Sequence, residues 1–380
     1  MRKIFSKKDE QNIITSKVSQ ILASFDKNND SLLNERLKES EMHYRRLFEA
    51  AKDGILILDF ETGKIVDANP YIINIIDCPL KKVIGKKLWE IGVFSNKIES
   101  ELAFIELKKD SYIRFDNMPI QRPNGETIQV EFISNVYFVD NTKVIQCNIR
   151  NITERKQLER KQELTTKILT IINSQDNWKQ AIHDILVEIK EYTGVNAIGI
   201  RLKEDEDYPY FETIGYTDCF MQVEKQLYSR NEKGKIIHCD KDNPSLDCMC
   251  GEVISGHTDS SLPHFTKGGS FYSGSSSELL NTTTENKRQI ATLTWCKAEG
   301  YESAALIPLN SGKEIIGMLQ LNDKSPAMFS IEMIQFFEKI GNIIGIAFNK
   351  VQNEKMINEN IQNLRKQNSD LQHLNYSYVS

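Results

Sequence analysis

The sequence predicts an α+β chain in which two antiparallel sheets with flanking helices are joined by long polar helices and followed by a C-terminal coiled coil. Three observations carry this. The chain has 380 residues, and at roughly 100–200 residues per domain that length supports two or three separate cores. Short β-type runs bounded by turn residues form one block from residue 54 to 152 and another from 196 to 323. Between and after the blocks lie charged stretches whose apolar residues return at helical steps, the mark of helices with one thin apolar stripe.

Composition narrows the class. Apolar residues are 40% and charged residues 27% of the chain, which fits a globular protein and excludes collagen-like and mostly disordered readings. A formal net charge of -5 leaves no basic field for a duplex or an anionic bilayer, so no nucleic-acid partner and no membrane are expected. The start, MRKIFSKKDEQNIITSKVSQ, lacks the apolar core of a secretory signal, and the expected location is cytoplasmic. Seven cysteines, an odd number, argue against a disulfide framework, yet five of them fall between Cys219 and Cys296.

Residues 1–40 form an N-terminal helical segment. Ile14, Val18, Ile21 and Leu22, then Leu33, Leu37, Tyr44, Leu47 and Phe48, predict two helices broken at FDKNNDSLL. Asp26, Asn28 and Asp30 imitate the first ligands of a calcium loop, but Ser31 stands where Gly is needed and Leu37 where a bidentate Glu is needed. Helix punctuation is the better reading.

From residue 54 the texture changes to GILILDFETGKIVDANP and RFDNMPIQRPNGETIQVEFISNVYFVDNTKVIQCNIRNI. These are strands, with turns at Glu61-Thr62-Gly63 and Pro123-Asn124-Gly125 and helical stretches over 71–76 and 97–107. The leading YRRLFEAAKDGILILD, the hairpin GKIVDANP and the exit NITERKQLE occur in that order, and together they make residues 41–152 resemble a PAS sensory domain of the sensory-box type. The family's exit reads Asp-Ile-Thr. Asn151 stands at the Asp position here, which weakens any salt bridge from that site and leaves Thr153 and Glu154 to start the next helix. Residues 54–152 contain no histidine, which excludes haem held there by an imidazole, and Cys78 in IIDCPLKK does not match the cysteine run of flavin-linked light sensors. Asn69 in DANP reads as a helix cap or as a contact for a small PAS ligand.

Residues 153–172, TERKQLERKQELTTKILTII, form a connecting helix whose stripe of Leu158, Leu164, Ile168 and Ile171 is expected to pair across a dimer axis. Next come an amphipathic helix carrying Trp178, Ile182, Ile185, Leu186, Ile189 and Tyr192, the strand runs NAIGIRL, YPYFETIGY, YESAALIPL and EIIGMLQLND, and a closing helix from Ile331 to Val351. Over 165–350 this order resembles a GAF domain with a Cys- and His-rich insertion at 217–295.

That insertion runs HCDKDNPSLDCMCGEVISGHTDSSLPHF. It supplies Cys248, Cys250, His238, His257 and His264, with Cys296 just beyond it, and thiolate and imidazole are the ligands that zinc, iron-sulfur clusters and haem iron prefer. Cys248 and Cys250 form a C-x-C pair, tighter than a zinc knuckle. Three readings stay open: buried small hydrophobes with loop histidines, a metal or haem site, or a thiol redox switch. The segments LDCMCGEVISG, GGSFYSGSSSELL and CKAEGYESAALIPL resemble GAF domains of sensor kinases from methanogens and related anaerobes. That resemblance implies haem attachment through Cys248, Cys250 or Cys296, and the residue types alone also suit an iron-sulfur thiolate at these positions.

After Val351, Ile357, Ile361, Leu364, Asn368 and Leu371 make a short heptad seam, so 351–380 is expected to be a coiled-coil helix. The end, RKQNSDLQHLNYSYVS, resembles the approach to the dimerisation helix of a histidine kinase, but His373 does not match the phosphoacceptor. No phosphate loop, nucleophile elbow or catalytic carboxylate pair occurs. The expected function is a sensory, signal-transduction module, a parallel homodimer that passes ligand or redox state through helices to a histidine-kinase output domain or response regulator in a two-component phosphorelay. The alternative is a free-standing PAS–GAF scaffold that binds only partner proteins.

Overall fold

The computed structural model describes residues 35–91, 97–174, 177–205, 207–223, 227, 238–240, 243–244, 249–277 and 299–379. The first predicted helix and the calcium-like break lie outside the described residues. The chain divides into two compact units, Met1–Leu158 and Glu159–Ser380.

In the first unit, helix α1 (35–50) leads to strands β1 (Gly54–Asp59) and β2 (Ile65–Ala68), helix α2 (Ile72–Ile76), two single 3-10 turns, helix α3 (Lys97–Asp110), and strands β3 (Tyr112–Gln121), β4 (Thr127–Val139) and β5 (Thr142–Asn151). The sheet is antiparallel, in the order β2-β1-β5-β4-β3. Period-two alternation places Leu56 and Leu58, then Ile128, Val130 and Phe132, then Ile145, Cys147 and Ile149, on one face. Ile72, Ile75 and Ile76 of α2 complete that core. Helix α2 has only five residues, and Arg122 from the β3–β4 turn secures its end by donating to the carbonyls of Ile75 (2.9 Å) and Asn74 (2.6 Å). At the β1–β2 turn Gly63 has φ +69°, and a Cβ there would lie 2.8 Å from the Phe104 ring, so both conformation and space call for glycine.

Helix α4 (Thr153–Ser174) and helix α5 (Trp178–Thr193) are followed by β6 (Ala197–Leu202), β7 (Tyr210–Ile214), α6 (Asp218–Val223), a small β8–β9 pair (His238–Asp240 and Asn243–Pro244), α7 (Met249–Ser255), β10 (Phe271–Ser273), β11 (Ser303–Ser311) and β12 (Glu314–Asp323). Helix α8 (Ile331–Val379) then runs as one element, joining the closing helix and the C-terminal helix that the sequence presented as two segments. The second sheet is also antiparallel, in the order β10-β11-β12-β6-β7. Ile182, Ile185, Leu186 and Ile189 of α5 and Ile334, Phe337, Ile340 and Ile344 of α8 cover one face. Helix α8 packs close to β11 because Gly345 has no Cβ; one added there would lie 2.5 Å from the Asn310 carbonyl oxygen.

The thin stripe of α4 divides. Leu164 and Ile168 are buried in the second unit's core and Ile171 packs against it, whereas Leu158 is 61% exposed. This corrects the expectation that all four pair across a dimer axis: the second unit's own core takes up Leu164, Ile168 and Ile171, and of the four only Leu158 is left exposed. Ile357, Ile361 and Leu364 of α8 are exposed. Among the described residues no helix is long and apolar enough to cross a membrane.

Leu164→Ala or Ile168→Ala should destabilise the second unit by about 2–5 kcal/mol in urea unfolding, by leaving a core cavity. Leu169→Ala, on the exposed side of the same helix, should stay within about 0.5 kcal/mol of the parent.

Candidate functional site

The first unit brings its incoming and outgoing helices to one place. Asn69, fully buried after β2, accepts from the Ile55 amide through Oδ1 (2.8 Å) and donates through Nδ2 to the carbonyls of Phe48 (3.1 Å) and Asp53 (2.9 Å). It thus ties the last turn of α1 to the start of β1. It caps no helix, for α2 has Tyr71 at its N-cap and no side-chain cap bond. With its oxygen and both amide hydrogens engaged by backbone, Asn69 is a fastener, and the ligand contact considered for it has no support in this geometry.

Asp53, at the end of that lead-in, meets the other terminus of the sheet. Arg150, the penultimate residue of β5, donates to it in a fork, Nε to Oδ1 at 2.9 Å and Nη2 to Oδ2 at 2.6 Å. The hydrogen bond to Asp53 holds the Arg150 guanidinium above its ordinary value. An ion pair at this end of the sheet is thus made by Arg150, one residue before Asn151. Asn151 itself accepts from the Thr153 amide at 2.9 Å, and Thr153 Oγ1 accepts from the Gln129 amide at 2.9 Å. The start of α4 is bound in this way to both β4 and β5.

The Cys and His residues of the second unit do not converge in the described part. Cys250 is fully buried on α7 among Met249, Val253, Ile254, Phe265, Phe271, Leu306 and Met318, and its Sγ lies 4.0 Å from Gln320 Oε1. These are the surroundings of a small apolar side chain. His257 is exposed. His264 is half-buried, with its ring 6.4 Å from that of Phe271, and burial lowers its pKa. Cys248, Cys296 and the side chain of His238 lie outside the described residues. Among the described residues no group of three or more His, Cys, Asp or Glu side chains could hold a metal.

A buried polar platform that sequence reasoning missed lies on the α7 side of this sheet. Tyr210 Oη donates to Gln320 Oε1 (2.7 Å), Gln320 Nε2 donates to Asn322 Oδ1 (2.9 Å), and Tyr216 Oη donates to the same Asn322 oxygen (2.7 Å). Arg201, fully buried, sits 3.7 Å above the Tyr210 ring and donates to the Tyr208 carbonyl at 3.1 Å. The signal was present in LQLND, where Gln320 and Asn322 alternate with Leu319 and Leu321. Such alternation ordinarily marks a solvated face, and here both faces are covered.

Asn69→Ala should cost about 1–3 kcal/mol for each backbone group left buried without its partner, and the thermal transition of the first unit should fall accordingly. A second expectation concerns Cys147, which accepts from Ser134 Oγ at 2.8 Å and whose thiol burial pushes from 9.0 up to about 12. The protonated form is favoured in the fold, so this contribution to stability is complete below pH 9 and is lost as pH rises toward 12. Iodoacetamide at pH 8 should accordingly label exposed Cys219 and spare Cys147 in the native protein, which mass spectrometry of the digest reads directly.

Residues 52–154 match the family model described as "PAS domain". Sporulation kinase E of Bacillus subtilis (strain 168) is 28% identical over 129 residues, which are 33% of this chain and 16% of that kinase. The aligned region is thus a small part of the kinase's length. Among solved structures, the PAS domain of an HTR-like protein from Haloarcula marismortui is 23% identical with a TM-score of 0.28, covering 32% of this chain and 99% of that one. The chromophore-binding domain of the bacteriophytochrome RpBphP3 from R. palustris is 11% identical with a TM-score of 0.34, covering 80% of this chain and 95% of that one. With the helix–sheet order and the fastened exit helix described above, residues 52–154 of this chain are a PAS domain.

Proposed function

We propose that the chain is the sensory part of a signalling protein, in which the PAS domain and a GAF-type second unit detect a small ligand or redox state and relay it along α4 and α8 to a histidine-kinase output. The observation that carries this reading is the Arg150–Asp53 fork. It fastens the PAS lead-in to the end of β5, from which α4 follows directly, so a displacement of β1 or β5 is delivered to a helix rather than dissipated in a loop. The likeness to a stretch of sporulation kinase E supports a kinase as the output. The exposed Leu158, Ile361 and Leu364 support a parallel homodimer, because thin apolar seams at the ends of both units gain by pairing with a second copy.

The test replaces the sensory region of a well-behaved histidine kinase with this chain and follows autophosphorylation. Arg150→Gln and Asp53→Asn should each change the basal rate several-fold without unfolding the PAS domain, and identical rates for the parent and both variants would overturn the reading. Sedimentation at micromolar concentration should show a dimer that the triple change of Leu158, Ile361 and Leu364 to Lys converts to monomer. A parent that sediments as a monomer defeats the dimer.

A further inference from the structure

The outer face of the PAS sheet carries an ionic row that the junction alone does not explain. Strands β3 and β4 pair Phe115 with Phe132 and then Met118 with Val130. Asp116 and Asn117 therefore stand opposite one residue, Glu131, which is the geometry of a β-bulge on the edge strand of the sheet. Glu131 is only 7% exposed. Its Oε1 accepts from Arg114 Nη2 at 2.8 Å, and its Oε2 lies 3.8 Å from Arg150 Nη1. Arg114 in turn donates through Nε to Asp116 Oδ1 at 2.6 Å, and Arg150 carries the fork to Asp53. Asp116, Arg114, Glu131, Arg150 and Asp53 thus alternate in sign from the bulge, across β3, β4 and β5, to the lead-in before β1.

A carboxylate withdrawn from water depends on its protein partners for solvation, so two arginines that share Glu131 do not act independently. Asp116 draws Arg114 toward the bulge. Whatever shifts the bulge alters how firmly Glu131 can hold Nη1 of Arg150, and that hold orients the fork on Asp53. Residues that share a partner in one network are coupled even without touching each other.

We propose that the β3 bulge is an input point of this PAS domain, with Glu131 as the positioning residue that couples Asp116 to the Arg150–Asp53 junction. This rests on the relay reading above and names where the relay can be addressed: on the outer edge of the sheet, away from the apolar core on its other face.

The experiment measures hydrogen exchange in the full chain at the amides of Ile152, Thr153 and Lys156, which bond to Gln129 O, Asn151 Oδ1 and Ile152 O. Asp116→Asn should change exchange at these amides by at least about threefold, although residue 116 contacts none of them. The same change made in a Glu131→Gln background, or beside Arg114→Gln, should have no further effect. Protection of the Cys147 amide in the sheet centre reports that each variant is folded, and Arg114→Gln serves if Glu131→Gln is not. Unchanged exchange in Asp116→Asn, or an effect that persists in both backgrounds, overturns the proposal. An indifferent chimaeric kinase with intact exchange coupling would instead defeat the relay reading and leave the ionic coupling standing.

Discussion

The PAS domain depends on one buried amide. Asn69 is fully withdrawn from solvent, and a primary amide in that position is tolerable only when its oxygen and both hydrogens find partners. The three partners are backbone groups on either side of the start of β1. Meeting that requirement fixes the distance between the α1 terminus and the sheet, and it places the Asp53 carboxylate where Arg150 can reach it. The strand alternation could form without this clasp, but the helices at the two ends of the domain would not then meet at one point.

The second unit is governed by a different constraint, a sheet with both faces covered. Strands β11, β12 and β6 are buried along nearly their whole length, so every polar side chain on them must be satisfied internally. Tyr210, Gln320, Asn322 and Tyr216 do so for one another, and Arg201 uses a ring face and a carbonyl. Such a network sets the register of β12 against β6 and β7 more strictly than aliphatic packing, because a slip would leave several polar groups unpaired at once.

Helix α4 serves two masters through its sequence. Its first turn is bound to β4 and β5 by Thr153 and Asn151. Its later turns supply Leu164 and Ile168 to the second core. A helix so polar has little intrinsic reason to persist alone, and the side chains that sustain it are anchored at both ends.

The sequence by itself determined the α+β class, the two β-rich blocks, the PAS motifs and the helices over α2, α3, α5 and the start of α8, because these follow from alternation, helical spacing and turn residues that act within a few positions of one another. It also singled out Asn69, though not its partners. What only the tertiary structure decided involves residues far apart in the chain. The Arg150–Asp53 fork joins positions 97 apart. The role of Glu131 depends on a bulge in a neighbouring strand. The burial of Gln320 and Asn322 required a covering that alternation cannot reveal. Leu164 and Ile168 had the spacing of a dimer seam and were taken by their own domain's core, since an apolar stripe records that a surface must be buried and not which surface will cover it.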